Sequence, residues 1–560
     1  MAIFLHDCGL NVLLVGASNA AVDALTDQLT ALRSEPYVRV RRGEIENRSR
    51  TSACPQDSDA GAGKSNPENH NDAEKQNALI GLSQFLKELQ SQKGVANKWD
   101  TVIPDGITAL AKYDIQNAYE VVNNYLSKPK DRRPGPSSPE EDEKWLAKET
   151  AFKKCWDAIG ELVVQDADIV ACTHNLAGTP LVRRNLGANG KKIVIIADED
   201  GQALEPDVLI PLVSLDRANL VIGTIRGGDR QQLPPLSITA SEVPGYNEFG
   251  YQMGRSLFDR LRRSQFPFKL ISEQHRMHPR LSRFPSEFTY SGKMTNDSTV
   301  HSISLGTEFS GALLDWIQSK QPNAKFAMGL ELIGINVPNG QTMVNERTRS
   351  RSNLGNVTVV MELVRFLVTR GVLEGRTSTI ITTYADQKKA YVRHMTKLSE
   401  SLDVAWKDLV QINTVDSMQG HEADLVILDW VVDSGTKSDL GFASDNRRAN
   451  VALTRARACL IVVANGNILD NDRLSERKPV GIHPEILVHF RSLVQNDLVV
   501  DVRASLDDAY SFSDTPAPTD DADIMASATD SQKKLHPVQE EWYTSGVDAS
   551  AETSTDHVSW

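Results

Sequence analysis

The chain has 560 residues, 40% hydrophobic and 24% charged, a balance that fits a globular body and excludes a wholly disordered or collagen-like one. At roughly 150 residues per domain, the length sets a prior of about three to four units. No run of about 18 apolar residues occurs, which argues against a membrane span and against membrane partners. The net charge of −13 is uneven: residues 501–560 hold thirteen Asp/Glu against three Lys/Arg, a net of −10, and the other 500 residues carry −3. A near-neutral body of that kind can still present a basic groove to nucleic acid.

The N-terminus, Met1-Ala-Ile-Phe-Leu-His-Asp7, has neither a basic n-region nor a small-residue cleavage site, so a secretory signal is rejected. Residues 1–44 hold a buried-type strand, Asn11-Val-Leu-Leu-Val-Gly16, and a helical pattern from Ala20 to Leu32. Residues 45–75 are rich in Ser, Asn, Asp and Glu and read as a disordered loop. Residues 76–165 read as helical, interrupted by Arg132-Arg-Pro-Gly-Pro-Ser-Ser-Pro139.

From 166 to 325 short apolar runs alternate with helical stretches; Asp168–Cys172, Ile193–Ala197 and Leu220–Gly223 read as buried parallel strands. A second series fills 326–495, with strands at Leu332–Ile335, Thr379–Thr382, Leu409–Ile412, Leu425–Leu428 and Leu460–Val463. Two alternating series predict an α/β fold of two doubly wound parallel sheets. Residues 496–560 read as a disordered acidic tail, a surface for protein partners. The five cysteines show no CxxC spacing, and an odd count without a signal fits a reducing compartment, nuclear or cytoplasmic. His275 and His278 lack a cysteine or third histidine, so a metal site there is disfavoured.

The chemistry begins where Ile193-Val-Ile-Ile-Ala ends in Asp198 and Glu199. Ligands of open α/β sheets sit at the carboxyl ends of strands. One carboxylate there can hold Mg²⁺, and its neighbour can orient or deprotonate an attacking water. Alone the pattern is weak, because an apolar run ending in Asp-Glu also arises by chance. It is followed by Gln202, by Gly228-Asp229-Arg-Gln-Gln232-Leu-Pro-Pro235, and by Glu273-Gln-His-Arg276-Met-His-Pro279. Further on stand Thr414-Val-Asp-Ser417-Met-Gln-Gly420-His-Glu422 and Arg447-Arg-Ala-Asn-Val-Ala-Leu-Thr454-Arg455-Ala-Arg457.

In this order and spacing, these segments resemble superfamily 1 helicases, specifically the nonsense-mediated-decay and senataxin-like subgroup. The resemblance runs from about residue 2 to 34 and 166 to 466. It implies two RecA-like domains with ATP between them and a single strand of RNA or DNA across their top, moved 5′ to 3′. It implies that Asp198 holds Mg²⁺, with Glu199 beside it activating water, and that Gln202 and Gln232 sense the γ-phosphate. Arg276 and Arg455 would stabilise transition-state charge, as such arginines do to the extent of about 10³–10⁵ in rate. Asp229, Tyr384, Gln387, Gly420 and Glu422 would line the nucleotide. Ser18 and Asn19, Thr173, and Thr414 and Ser417 occupy turns that would meet the strand's phosphates, which suits hydroxyls and N–H groups at helix starts. Helix N-capping by Ser18, Asn19 or Ser417 is the alternative reading.

The first motif of that family, GxxxxGK[ST], is missing. Gly61-Ala-Gly63-Lys64-Ser65 imitates its end, but Ser58 stands where the first glycine belongs, and the segment follows no strand. Ala2 to Val12 looks like the last turns of the helix that begins at that motif, its glycine stop and the next strand. The expectation is therefore a helicase or translocase incomplete as given, through truncation or a short gene reading. Its alternative is a non-catalytic nucleic-acid-binding scaffold. Two smaller departures stand out: Asp200 and Gly201 where the family has Ala and a small residue, and extra residues Thr224-Ile-Arg-Gly227 before Gly228-Asp229. The first suggests an added carboxylate beside the metal and a loosened turn.

Overall fold

The computed structural model describes residues 1–32, 37–41, 44–48, 121, 139–215, 220–236, 247–324, 329–402, 405, 410–470 and 483–505. The polar loop from 49 onward, the Gly61–Ser65 segment, most of the helical stretch before 139 and the tail after 505 lie outside them. The chain divides into two units: residues 1–229 with 255–261, and 230–254 with 262 onward.

The first unit is built on a six-stranded sheet ordered β3-β2-β4-β1-β5-β6. Its strands are β1 (Asn11–Gly16), β2 (Tyr37–Arg41), β3 (Glu44–Arg48), β4 (Ile169–Thr173), β5 (Ile193–Asp198) and β6 (Val221–Arg226). All pairings are parallel except β2–β3. Alternate residues feed the two faces: Leu13, Val15, Val170, Cys172, Ile193 and Ile195 on one, Val12, Leu14, Ile169 and Ala171 on the other. The helix Asn19–Leu32 covers the second face with Val22 and Leu29. The first is covered by Ile159, Leu162 and Val163 from the helix Pro139–Asp166. The end of the expected insert is thus part of this core. At the chain start, the helix Ala2–Asp7 stops at Gly9, whose φ is +77°. Gly9 N–H donates to His6 O and Leu10 N–H to Leu5 O, the paired bonds of a Schellman cap.

The second unit carries a sheet ordered β13-β12-β14-β15-β9-β16, parallel throughout. Two-residue pairs flank it: β7 (Glu273–Gln274) with β8 (Thr295–Asn296), and β10 (Met343–Val344) with β11 (Arg351–Ser352). The sheet itself comprises β9 (Leu332–Asn336), β12 (Ser378–Thr382), β13 (Gln411–Thr414), β14 (Ala423–Asp429), β15 (Ala456–Ala464) and β16 (Val499–Asp501). Ile335, Ile380, Leu425, Ile427 and Ile461 face one core; Ile381, Val426, Leu428, Leu460 and Val462 face the other.

Four sequence expectations change. The break between units falls at Asp229–Arg230, not near 325, because the helix Gly306–Lys320 buries Phe309, Leu313, Trp316 and Ile317 in the second core. The loop expected from 45 begins as β3, an edge strand with one apolar residue and therefore little sequence signal. Val499–Asp501, assigned to the tail, is the edge strand β16, with Val500 wholly buried. Thr224–Arg226, read as an insertion, completes β6, which is an open edge and leaves Ile222 and Ile225 exposed.

The second core also buries Glu485, at the start of the helix Glu485–Gln495. Burial, aided by nearby Asp445 and opposed by the Thr289 hydroxyl that donates to it, pushes its carboxyl up to about 8. The native state therefore keeps a proton that the unfolded chain releases above 4.5. This contribution to stability is complete below 4.5, declines as pH rises and is gone above about 8. Buried His489, pushed down to about 3 from 6.5, acts in the opposite sense between those values and so offsets Glu485 mainly below pH 6.5. Unfolding free energy should accordingly fall by about 1 kcal/mol between pH 6.5 and 7.5 in urea titrations. Glu485→Gln should flatten that slope; an unchanged slope refutes the assignment.

Candidate functional site

Strand register gathers the first unit's candidates. Gly16 of β1 pairs with Thr173 of β4 on one side and Asp198 of β5 on the other, and Ala197 pairs with Arg226. The turns holding Ser18–Asn19, Thr173, Asp198–Gln202 and Gly227–Asp229 therefore share the carboxyl edge of the sheet. Ser18 caps the next helix, its hydroxyl accepting the Ala21 N–H at 3.1 Å. Asn19 is exposed, and its Oδ1 accepts from Arg39 Nη2 at 3.0 Å. Arg39 is itself buried and paired with Asp23 at 2.9 Å. Thr173 precedes the helix His174–Ala177 without a side-chain capping bond.

Asp198 is held at the end of β5, its Oδ1 accepting the Glu199 N–H at 2.9 Å. Burial raises its carboxyl, and Asp200 adds to the rise while the Glu199 N–H opposes it. Glu199 has φ +54°, in the left-handed region that an L side chain seldom adopts. Strain of this kind persists where surrounding structure enforces it, often at functional sites. The enforcement is visible: Gln202 N–H closes the turn onto Glu199 O, and Asp200 N–H donates to Gly227 O at 2.9 Å. Buried Gln202 Nε2 has no hydrogen-bond partner among the described residues.

Asp200 raises the neighbouring Asp198 carboxyl, as an added carboxylate would, and is itself wholly buried and paired with Arg226 at 2.7 Å. One sequence expectation is corrected at this turn. Gly201 does not loosen the turn. A Cβ on Gly201 would lie 3.1 Å from Asp229 O, one on Gly228 2.9 Å from Gly201 N, and one on Gly227 2.9 Å from Asp198 Oδ1. The glycines are what allow two turns to interlock.

The second unit splits its candidates between the two ends of its sheet. Ala423 pairs with Ala456 at one end of β14, and Thr382 with Asp429 at the other. Six residue steps, about 20 Å, separate them. At the Ala423 end, Arg276 Nε donates to Glu422 Oε2 at 2.6 Å and Nη1 to Thr454 O at 3.1 Å. Glu422 also faces Arg457 Nε at 3.4 Å. Arg455 is buried: it donates to Val451 O at 2.8 Å, His421 O at 3.2 Å and Thr454 Oγ1 at 3.0 Å. Arg276 is about a third exposed. Gly420, φ +80°, turns the chain toward Glu422. In the same unit Gln231 O accepts from Asn450 Nδ2, which brings the Gln232 segment to the Thr454 helix.

Tyr384 and Gln387 stand at the opposite end and are buried. Tyr384 donates to Leu440 O, and its ring lies 5.5 Å from the Arg351 guanidinium. Gln387 Oε1 accepts the Asn353 N–H, and its Nε2 donates to Asn353 O and to Asp429. Asp429 also accepts from Asn356, Tyr391 and the Val431 N–H, and burial raises its carboxyl. Thr414 and Ser417 bond each other through Thr414 N–H to Ser417 Oγ at 3.0 Å, and Ser417 stays exposed.

Sequence reasoning passed over His174, Arg226 and Arg457 in this inventory. Only Arg457 carried a signal, its place beside Arg455. Among the described residues, Glu273, His275 and Asp297 offer donor atoms within 4.8 Å of one another, so His275 meets carboxylates rather than His278.

Two largely parallel α/β units carry carboxylates at a strand end in one and an arginine cluster in the other. Comparison with known proteins shows what they are similar to. Two AAA domain families match, over residues 6–240 and 253–467. An uncharacterized ATP-dependent helicase of Methanocaldococcus jannaschii is 25% identical over 417 residues, 73% of this chain and 54% of the relative. Regulator of nonsense transcripts 1 of Dictyostelium discoideum is 30% identical over 312 residues, 56% of this chain and 21% of its own. DNA polymerase alpha-associated DNA helicase A of Saccharomyces cerevisiae is 30% identical over 336 residues, 58% and 46%. The chain belongs to the superfamily 1 helicases, in the group of the regulator of nonsense transcripts 1, and both units are RecA-like. It spans about half or less of the length of these relatives. No helix among the described residues is long and apolar enough to cross a membrane.

The interlocked turns give a test. Gly228→Ala should destabilise the protein by about 1–3 kcal/mol, because the opposing atom is backbone and cannot move aside. Gly223→Ala, with nothing within 4 Å of the added carbon, is the control. Equal unfolding midpoints in urea for the two variants would refute the interlock.

Proposed function

We propose that these units couple hydrolysis of Mg-ATP to movement along a single strand of RNA or DNA. The observation that carries this reading is the register at the first sheet's carboxyl edge. It lines up Ser18–Asn19 and Thr173, suited to phosphate contact, with the carboxylates Asp198 and Glu199.

Asp198 fits a magnesium ion: it is an oxygen donor at a strand end, backed by Gly227, where a Cβ would come within 2.9 Å of its Oδ1. Bound there, directly or through water, the ion supplies neutralisation of phosphate charge. Glu199, fixed by its turn, is the group that orients water and takes its proton. Gln202 offers an amide donor to the γ-phosphate. Arg276 supplies positive charge to the transferred phosphoryl, with Glu422 holding its guanidinium side-on. Arg455, engaged by carbonyl oxygens and a hydroxyl, braces the Thr454 turn that accepts from Arg276. Thr414 and Ser417 of the second unit, with exposed hydroxyl and backbone groups, are proposed as strand contacts.

A second reading is a scaffold that binds a strand without turnover. The two are separated in protein purified as the cell makes it. The motor reading expects strand-stimulated ATPase, lowered about 10²–10⁴-fold by Glu199→Gln with magnesium-dependent ATP binding retained. No magnesium-dependent ATP binding in a calorimetric titration would leave the scaffold standing.

A further inference from the structure

The two departures from the family pattern, Asp200 and the residues before Gly228, meet in space. Asp200 Oδ2 accepts from Arg226 Nη1 at 2.7 Å, and both groups are buried or nearly so. On its other side, Asp200 Oδ1 faces His174 Nε2 at 3.6 Å. His174 is buried, and among the described residues neither of its ring nitrogens has a hydrogen-bond partner; Asp200 Oδ1 has none there either. The row His174–Asp200–Arg226 thus runs beneath three turns of one sheet edge: Thr173 after β4, Asp198–Gln202 after β5 and Gly227–Asp229 after β6. Asp200 is also tied by its backbone N–H to Gly227 O, and Gly227 N–H to Ala197 O.

Burial of an ion pair gains little stability over apolar side chains of the same volume, so the pair is better explained by what it orders. A gap of 3.6 Å is just too long for a hydrogen bond, and leaving both partners buried and unmatched is unfavourable. A shift of a few tenths of an ångström at the His174 turn satisfies both.

We infer that His174 is a positioning residue that closes onto Asp200 when a strand engages the adjacent Thr173 turn, tightening the Asp198–Gln202 turn that holds the hydrolytic carboxylates. Arg226 anchors the far side of Asp200, so the movement is transmitted rather than dissipated. This rests on the motor reading only in that a strand binds at this edge.

The test reads amide hydrogen exchange of residues 198–202 with and without a saturating single-stranded oligonucleotide. In the wild type the strand should slow exchange there by about fivefold or more. His174→Leu should bind the oligonucleotide with affinity within about twofold of wild type yet show no added protection, a coupling loss of that same size. His174→Asn, polar but too short to reach Asp200, should behave alike. His174→Gln, which restores a donor at the same reach, should recover the protection. Protection that is absent in the wild type, or persists in the Leu and Asn variants while the strand binds, overturns the inference alone. Failure of the wild type to bind the oligonucleotide overturns the strand reading together with it.

Discussion

The parallel register of β1, β4 and β5 is the constraint on which the rest of the first unit depends. Parallel strands need crossover connections, so every chain end that leaves the carboxyl edge must turn into a helix or loop there. Once Gly16, Thr173 and Asp198 are level, the turns beyond them become neighbours regardless of their distance in sequence. The register is fixed by burial on both faces: a slip of one residue would exchange the Leu13–Val15 set with Val12–Leu14. Hydrophobic packing several residues away therefore decides where the carboxylates stand.

At that edge, close approach and strain are the same fact seen twice. Glu199 sits at φ +54° because the Asp198–Gln202 turn is pulled tight against Gly227–Asp229, and the turns meet because three positions lack a Cβ. Asp200 then has no route to solvent. Its charge is matched by Arg226, contributed by the last residue of β6. Two changes that stand apart in the one-dimensional sequence are a single compensated arrangement in three dimensions.

The strands were legible because long apolar runs bounded by turn residues admit few alternatives: β1, β5, β9 and β12 match their runs within a residue. The apolar run before them made the position of Asp198 and Glu199 at a strand end legible too. What escaped was whatever depends on neighbours far in sequence. β3 and β16 are edges with too few apolar residues to announce themselves. The unit boundary was hidden because the helix Gly306–Lys320 is amphipathic toward a core that its own sequence does not name. Tyr384 and Gln387 follow a strand end, where ligands gather, but Asp429 draws Gln387 inward, and Leu440 O takes the Tyr384 hydroxyl. His174 gave no sign because its only notable property is a distance.

The second unit separates by geometry what the motif order mixes. Arg276 and Arg455 both bond Thr454, yet they are not equivalent. Arg455 is almost wholly buried and surrounded by acceptors, so its charge is committed to holding the turn before β15. Arg276 is held by one carboxylate and one carbonyl and keeps part of its planar fork open, the geometry that suits a phosphate. Thr414 and Ser417, at the end of the edge strand β13, are joined to that cluster by the segment crossing back to β14. β14 joins the two ends, paired in parallel with β12 and with β15, and its register against β15 shifts between Ala423 and Leu425.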